Sequence, residues 1–189
     1  MNNPLTTVIR NLIEQKFGRA IRYSSDVDDL CDDIQQTTHK RLSVNTLKRL
    51  LGLIDDVTEP RLYTLDIVAS YLGCENWDAL LKQESGAHSE FGSIDEFQDL
   101  AEGDKFTFTY PPDREVTCQY LGSGNQYVVI ESKNGKLKTG DTICVDHIIK
   151  GYPLLIENVL RSDRSLGPLV LGRFTGITTL NRLSTENDT

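Results

Sequence analysis

Three observations predict an α+β chain, with an N-terminal all-α helix-turn-helix-like bundle followed by a small antiparallel β barrel or curled sheet. Apolar residues recur at helical spacing up to about residue 82, strict alternation replaces that spacing beyond about residue 93, and Gly- and Pro-containing turn signals concentrate in the second half. The change falls at Gln83-Glu84-Ser85-Gly86-Ala87-His88-Ser89-Glu90, where polar and small residues interrupt every apolar period. The expected division is therefore a helical domain over 1–82, a linker over 83–92, an antiparallel β domain over 93–183 and a disordered tail over 184–189.

The elements follow in order. Asn3-Pro4 suits a cap followed by proline in the first turn, and Leu5, Val8, Ile9, Leu12, Ile13 and Phe17 form one stripe ending at Gly18. A second helix begins at Ser25 with Val27, Leu30, Cys31 and Ile34 inward, and Asp28, Asp29, Asp32 and Asp33 on the opposite, solvated arc. A third starts at Ser43 and buries Val44, Leu47, Leu51 and Ile54. A fourth runs from Arg61 to Leu72, ends at Gly73 and buries Leu65, Val68, Ala69 and Leu72. A short fifth opens at Asn76 with Trp77, Leu80 and Leu81 inward.

Past the linker, Ser93 and Glu96 form a capping box for a short helix carrying Ile94, Phe97 and Leu100. Lys105 to Tyr110 and Val116 to Tyr120 alternate as strands around the Pro111-Pro112-Asp113 turn. Gln126 to Ser132 reads as a third strand, Asn134-Gly135 as a tight hairpin turn, and Thr142 to Ile149 as its partner. Tyr152 to Leu160 and Leu169 to Leu180 supply the last strands. Leu100-Ala101-Glu102-Gly103-Asp104 and Leu137-Lys138-Thr139-Gly140-Asp141 are alike, although a Gly-Asp turn before a strand is too common to establish a duplication.

Composition bounds the function. No run of apolar residues approaches a membrane span, and the start lacks a signal peptide's basic and apolar regions, so a cytoplasmic protein without membrane contact is expected. Cys31, Cys74, Cys118 and Cys144 are widely spread, which favours reduced, buried thiols over bridges. The formal charge of −8 opposes whole-surface binding to nucleic acid. Met1 to Ser85 carries ten Lys or Arg against thirteen Asp or Glu, so any DNA contact must come from a local basic patch.

Such a patch is centred on the third helix. Asn45 and Arg49 are four residues apart on its polar face, where Asn can make a bidentate contact to adenine and Arg to guanine, with Thr46 flanking them as a third base contact. Lys48, to the side of the helix, and Lys40, Arg41, Ser43 and Arg61 suit the phosphate backbone; His39, mostly neutral at pH 7, could join them only weakly. The same residues would also serve as an ordinary solvated helix face. The segment Arg41-Leu42-Ser43-Val44-Asn45-Thr46-Leu47-Lys48-Arg49-Leu50-Leu51-Gly52, followed by Pro60-Arg61-Leu62-Tyr63-Thr64-Leu65-Asp66-Ile67-Val68-Ala69-Ser70-Tyr71-Leu72-Gly73, resembles the lambda-repressor-like (Cro-type) helix-turn-helix family over roughly residues 25–82. That resemblance implies a recognition helix, a loop, and a helix with Thr-Leu, Ile/Val-Ala and terminal Leu-Gly positions. The Thr-Leu-Lys-Arg-Leu and Tyr-Leu-Gly…Asn-Trp-Asp-Ala-Leu segments also look like those of bacterial two-domain proteins of unassigned function.

No catalytic constellation emerges, and neither a metal nor a cofactor is expected. Cys144 and His147 are three apart, so on a regular strand they point to opposite faces; with Cys118 they read as packing residues. A β-rich self-cleaving domain with a Ser–Lys pair lacks its Gly-Asp-Ser-Met nucleophile here, leaving only Ser123 or Ser132 with Lys150. The sequence therefore predicts a DNA-binding transcriptional regulator, not an enzyme, whose β domain senses a ligand or mediates dimerisation. Its partners would be double-stranded DNA and a second copy, because one such helix reads only a half-site. The rival is an interaction adaptor whose acidic helical module binds a protein partner and no longer binds DNA.

Overall fold

The computed structural model describes residues 4–54, 59–88 and 100–183, and the chain divides into two compact units, Met1–Phe91 and Gly92–Thr189. The predicted α+β class holds: among the described residues five helices precede an antiparallel sheet of seven strands. Among the described residues no helix is long and apolar enough to cross a membrane.

In the first unit, α1 (Pro4–Phe17) ends at Gly18, whose φ of 79° is the left-handed conformation that stops a helix. The chain then folds back along α1. Glu14 accepts hydrogen bonds from the Ile21 N–H and from Arg10 Nε, both at 3.0 Å, and Arg10 Nη2 donates to the Ile21 carbonyl at 2.6 Å. This clasp carries Ile21 into the core although it lies in no helical stripe. The next helix, α2 (Ser24–Thr38), starts one residue before the predicted site, with the Asp26 carboxylate accepting the Arg22 and Tyr23 N–H groups. Its buried residues are the predicted Val27, Leu30, Cys31 and Ile34.

Ser43 caps α3 (Val44–Leu50), its Oγ accepting the Thr46 N–H at 3.1 Å. The stripe expected through Ile54 does not continue. The helix stops at Leu50 and Gly52 turns left-handed, so Leu50 and Leu51 are buried while Ile54 is 39 % exposed and Val44 only half-buried. In α4 (Leu62–Tyr71) the expected single stripe is corrected too: Ile67 and Tyr71 join Leu65, Val68 and Ala69 inside, and Leu72 is half-buried. This helix packs against α2 and against α5 (Trp77–His88), so two of its faces are covered. Asn76 Oδ1 accepts the Ala79 N–H at the start of α5, and Asp66 of α4 accepts the Trp77 N–H. Residues 83–88, assigned above to a linker, continue α5; residues 89–92, the Ser93–Glu96 capping box and the 184–189 tail lie outside the described residues.

In the second unit the alternating residues behave as predicted in β1 (Lys105–Tyr110), where Phe106, Phe108 and Tyr110 face inward, and in β2 (Arg114–Tyr120), where Val116 and Cys118 do. The remaining strands are β3 (Gln126–Lys133), β4 (Thr142–Cys144), β5 (Leu154–Ile156), β6 (Asn158–Arg161), β7 (Arg164–Ser165), β8 (Leu169–Leu171) and β9 (Thr179–Leu183). The main sheet runs β7-β6-β4-β3-β2-β1-β9, and β5 pairs with β8 separately. It does not close into a barrel, so the curled-sheet alternative is the one realised. Each of the three long strands predicted after residue 140 is broken into a shorter piece or two.

Asn134-Gly135 is not a tight hairpin. Asn134 does take a left-handed φ of 56°, but its Nδ2 docks on the Asp113 carbonyl, and β4 pairs only with Gln126–Val128 at the far end of β3. The intervening residues send Leu137 into the core and make a second turn at Gly140-Asp141. That turn repeats the one at Gly103-Asp104 in detail. Asp104 Oδ2 accepts the Ala101 N–H, and Asp141 Oδ2 the Lys138 N–H, each at 2.7 Å. Each aspartate also pairs with an arginine from the strand outside its own, Arg182 of β9 or Arg161 of β6. In strand order and in this turn, β9-β1-β2 and β6-β4-β3 are related by a pseudo-two-fold between β2 and β3, although Arg182 corresponds in register to Val159 and not to Arg161.

The Asp141–Arg161 pair has a testable consequence. Asp141 is 1 % exposed and is held by Arg161 Nε and Nη2 at 2.8 Å each, and the Arg161 hydrogen bonds hold its carboxyl below the usual carboxylate range. A depressed folded-state value stabilises above the unfolded value and is lost as pH falls through the folded one, so this contribution should fade below roughly pH 4. Urea unfolding across pH should show that loss in the wild type and a flatter profile in Asp141→Asn.

Candidate nucleic-acid interface

The predicted patch is assembled from the end of α2, the following turn, α3 and the start of α4. His39, in a left-handed conformation with φ 58°, ends α2, and residues 39–43 lead into α3. Leu42 is buried in this turn, which leaves Lys40 and Arg41 exposed. Buried Leu47 and Leu50 fix the rotation of α3, so Asn45 and Arg49 are exposed on its outer side. Arg61 is exposed as the residue capping α4.

Two tertiary contacts tie these pieces together. Lys40 Nζ lies 5.8 Å from the Tyr63 ring centroid, which draws the turn before α3 toward the first turn of α4. Lys48 Nζ donates to Ser24 Oγ at 3.0 Å, which sets this half-buried lysine beside the start of α2. Tyr23, at 71 % exposed, precedes that start, and Tyr63 is 63 % exposed. Neither tyrosine nor Ser24 was singled out in the sequence, although a tyrosine two residues from Arg61 is a type of side chain that binding surfaces favour.

The other predicted residues have local roles as well. Ser43 Oγ caps the helix and lies 2.8 Å from Thr46 Oγ1, so both hydroxyls are engaged with each other, and Thr46 is half-buried. Arg49 is exposed with a partner of its own. Charge decides the character of the surface more than any single contact. From Ile34 to Ile54 the sequence contains no Asp or Glu, while carrying Lys40, Arg41, Lys48 and Arg49 together with His39. In a chain of net charge −8 that interval is a local excess of positive charge, visible in the sequence as an acid-free run.

The acidic arc of α2 is partly neutralised. Asp29 pairs with Arg19, and Asp33 is half-buried and accepts a hydrogen bond from the fully buried Tyr71 hydroxyl, so it does not belong to a solvated face. Burial, and then the Asp33 carboxylate, push the Tyr71 hydroxyl above its ordinary range, which keeps it a donor. Asp28 and Asp32 remain exposed.

Elsewhere, the residues considered for chemistry differ in their exposure. Cys118 is fully buried and its thiol is pushed up to about 12 by that burial, Cys144 is half-buried and His147 is exposed. Ser123 and Lys150 are exposed, whereas Ser132 Oγ is buried without a hydrogen-bond partner among the described residues. Among the described residues no group of three or more His, Cys, Asp or Glu could hold a metal ion. Comparison with protein-family models, with curated proteins and with solved structures finds no match.

Proposed function

We propose that the protein is a double-stranded DNA-binding regulator that acts through α3, with Asn45 and Arg49 reading base edges and Lys40, Arg41, Lys48 and Arg61 holding phosphates. The observation that carries this reading is the cationic, acid-free interval Ile34–Ile54, whose charges surround an exposed Asn and Arg one helical turn apart. Thr46 and Ser43 serve mainly to hold the start of α3, through their mutual hydroxyl contact, and would present that bonded pair to the backbone. The Cro-type resemblance supports the same arrangement of α2, α3 and α4. The β unit would then supply dimerisation or ligand sensing.

Base contacts specify sequence whereas phosphate contacts position the protein, so substitutions should fall into two groups. Asn45→Ala or Arg49→Ala should lose about 1–3 kcal/mol toward a preferred duplex and leave scrambled-duplex binding nearly intact. Lys48→Ala should weaken both duplexes alike and lower the slope of log affinity against log salt by about one. Titrations of each variant against both duplexes over a salt series separate the groups. Binding unchanged by all three substitutions would remove α3 from the interface.

A second reading keeps one specific observation. Exposed Asp28 and Asp32 on α2, together with the separate exposed pair Leu62 and Tyr63 at the start of α4, suit a protein partner better than phosphate. An adaptor would show no preference among duplexes, and any residual electrostatic association would vanish at moderate salt.

A further inference from the structure

The pseudo-two-fold of the β unit exposes an asymmetry at its two edges. On one side β6 is followed by a tight turn at Ser162 and Asp163, both with positive φ, and the two-residue strand β7 folds back to cover it. On the other side β9, the counterpart of β6, pairs only with β1 and has no strand beyond it among the described residues. Among the described residues, the place that β7 fills next to β6 is open next to β9.

The backbone parity of that edge is determined. The Tyr120 N–H bonds the Asp104 carbonyl, so Asp104, Phe106, Phe108 and Tyr110 direct their backbone groups toward β2, and Lys105, Thr107 and Thr109 direct theirs toward β9. Their register partners Leu183, Asn181 and Thr179 are therefore engaged with β1, and the N–H and C=O groups of Leu180 and Arg182 point outward. An exposed edge of this kind is normally blunted by proline, lysine or an unpaired charge. β9 has neither proline nor lysine, and its one charge, on Arg182, is held by Asp104.

We propose that this edge is the dimer interface, with the β9 strands of two copies pairing antiparallel about Asn181 so that the two sheets run on as one. In that register Leu180 and Arg182 of one copy exchange backbone hydrogen bonds with Arg182 and Leu180 of the other, Asn181 faces its own copy, and Thr179 faces Leu183. No like charges are opposed, and two chains of net charge −8 meet along an edge without a carboxylate side chain. Choosing a second copy over a foreign strand rests in part on the DNA reading, since two half-sites need two reading helices.

The test is the mass of the full chain in solution, by light scattering across a dilution series without DNA. Wild type should have twice the chain mass. Arg182→Ala, which removes the ion pair and keeps the outward N–H, should remain dimeric, whereas Arg182→Pro, which removes that N–H and leaves the ladder with β1 intact, should be monomeric. Asn181→Lys supplies an independent readout: its two ammonium groups would face each other across the two-fold, so the variant should be monomeric at low salt and regain the dimer at high salt. Far-UV circular dichroism confirms that each variant is folded. A monomeric wild type, or a dimer that survives both Arg182→Pro and Asn181→Lys at low salt, would overturn the proposal. DNA binding is measured separately: a dimer without DNA affinity leaves this interface standing and removes the DNA reading, and a sequence-specific monomer does the reverse.

Discussion

Trp77→Ala is expected to destabilise the helical unit by about 3–5 kcal/mol, enough to remove most of the stability of a domain this small. Trp77 is fully buried and opens α5 at the point where Asp66 of α4 accepts its backbone N–H. Truncation leaves a cavity in the buried core of the helical unit, which local collapse of a tightly packed core cannot fill. Because α4 also packs on α2, the support of α3 weakens with it, and sequence-specific DNA binding should disappear together with the helical unfolding transition. Thermal unfolding followed at the helix signal measures the loss. Trp77→Phe, which keeps much of the volume, should recover most of it.

Gly176→Ala should destabilise the β unit by about 3 kcal/mol or more. Gly176 has φ 75°, and a Cβ there would come within 2.6 Å of backbone atoms of Gly151 and Tyr152. The colliding atoms are main chain, held by the Ile177 N–H to Tyr152 carbonyl and Gly151 N–H to Ile177 carbonyl bonds, so neither side can give way. The two units have separate cores, so this substitution should lower the β transition and spare the helical one. A single transition shifted as a whole would show that the units unfold together.

The contrast between those two sites also shows what could be read from the sequence. The apolar stripe of α2 was legible residue by residue because the helix buries one face, which is the case a 3.6-residue period encodes. In α4 the period underpredicted burial, since packing against both α2 and α5 covers residues that a single stripe leaves out, Ile67 and Tyr71 among them. In α3 the period overextends the helix, because Leu51 and Ile54 fit it although Gly52 turns left-handed. β1 and β2 were legible by alternation. The short strands after residue 140 were not, because their limits are set by partners far along the chain, as Lys105 is paired with Leu183. Gly176 illustrates the same point: nothing near it in sequence announces the close approach of Gly151.

For the candidate site, exposure of Asn45, Arg49, Lys40, Arg41 and Arg61 followed from the helical pattern and from charge. What did not follow was their tethering. The Lys48–Ser24 bond and the Lys40–Tyr63 contact join residues more than twenty positions apart, and Asp33 was assigned to solvent because Tyr71, its donor, lies on another helix. These contacts reshape the surface, with Lys48 at the start of α2 and less bare acid along it than the sequence suggests.

The central claim is that α3 reads a DNA sequence. Selection of the full chain on random duplex DNA at low salt, repeated with Asn45→Ala and Arg49→Ala, tests it most directly. The account predicts an enriched motif for the wild type, arranged as a palindrome if the β9 edge joins two copies, with loss of preference at particular positions in each variant. A wild-type pool indistinguishable from the input after repeated rounds would contradict it.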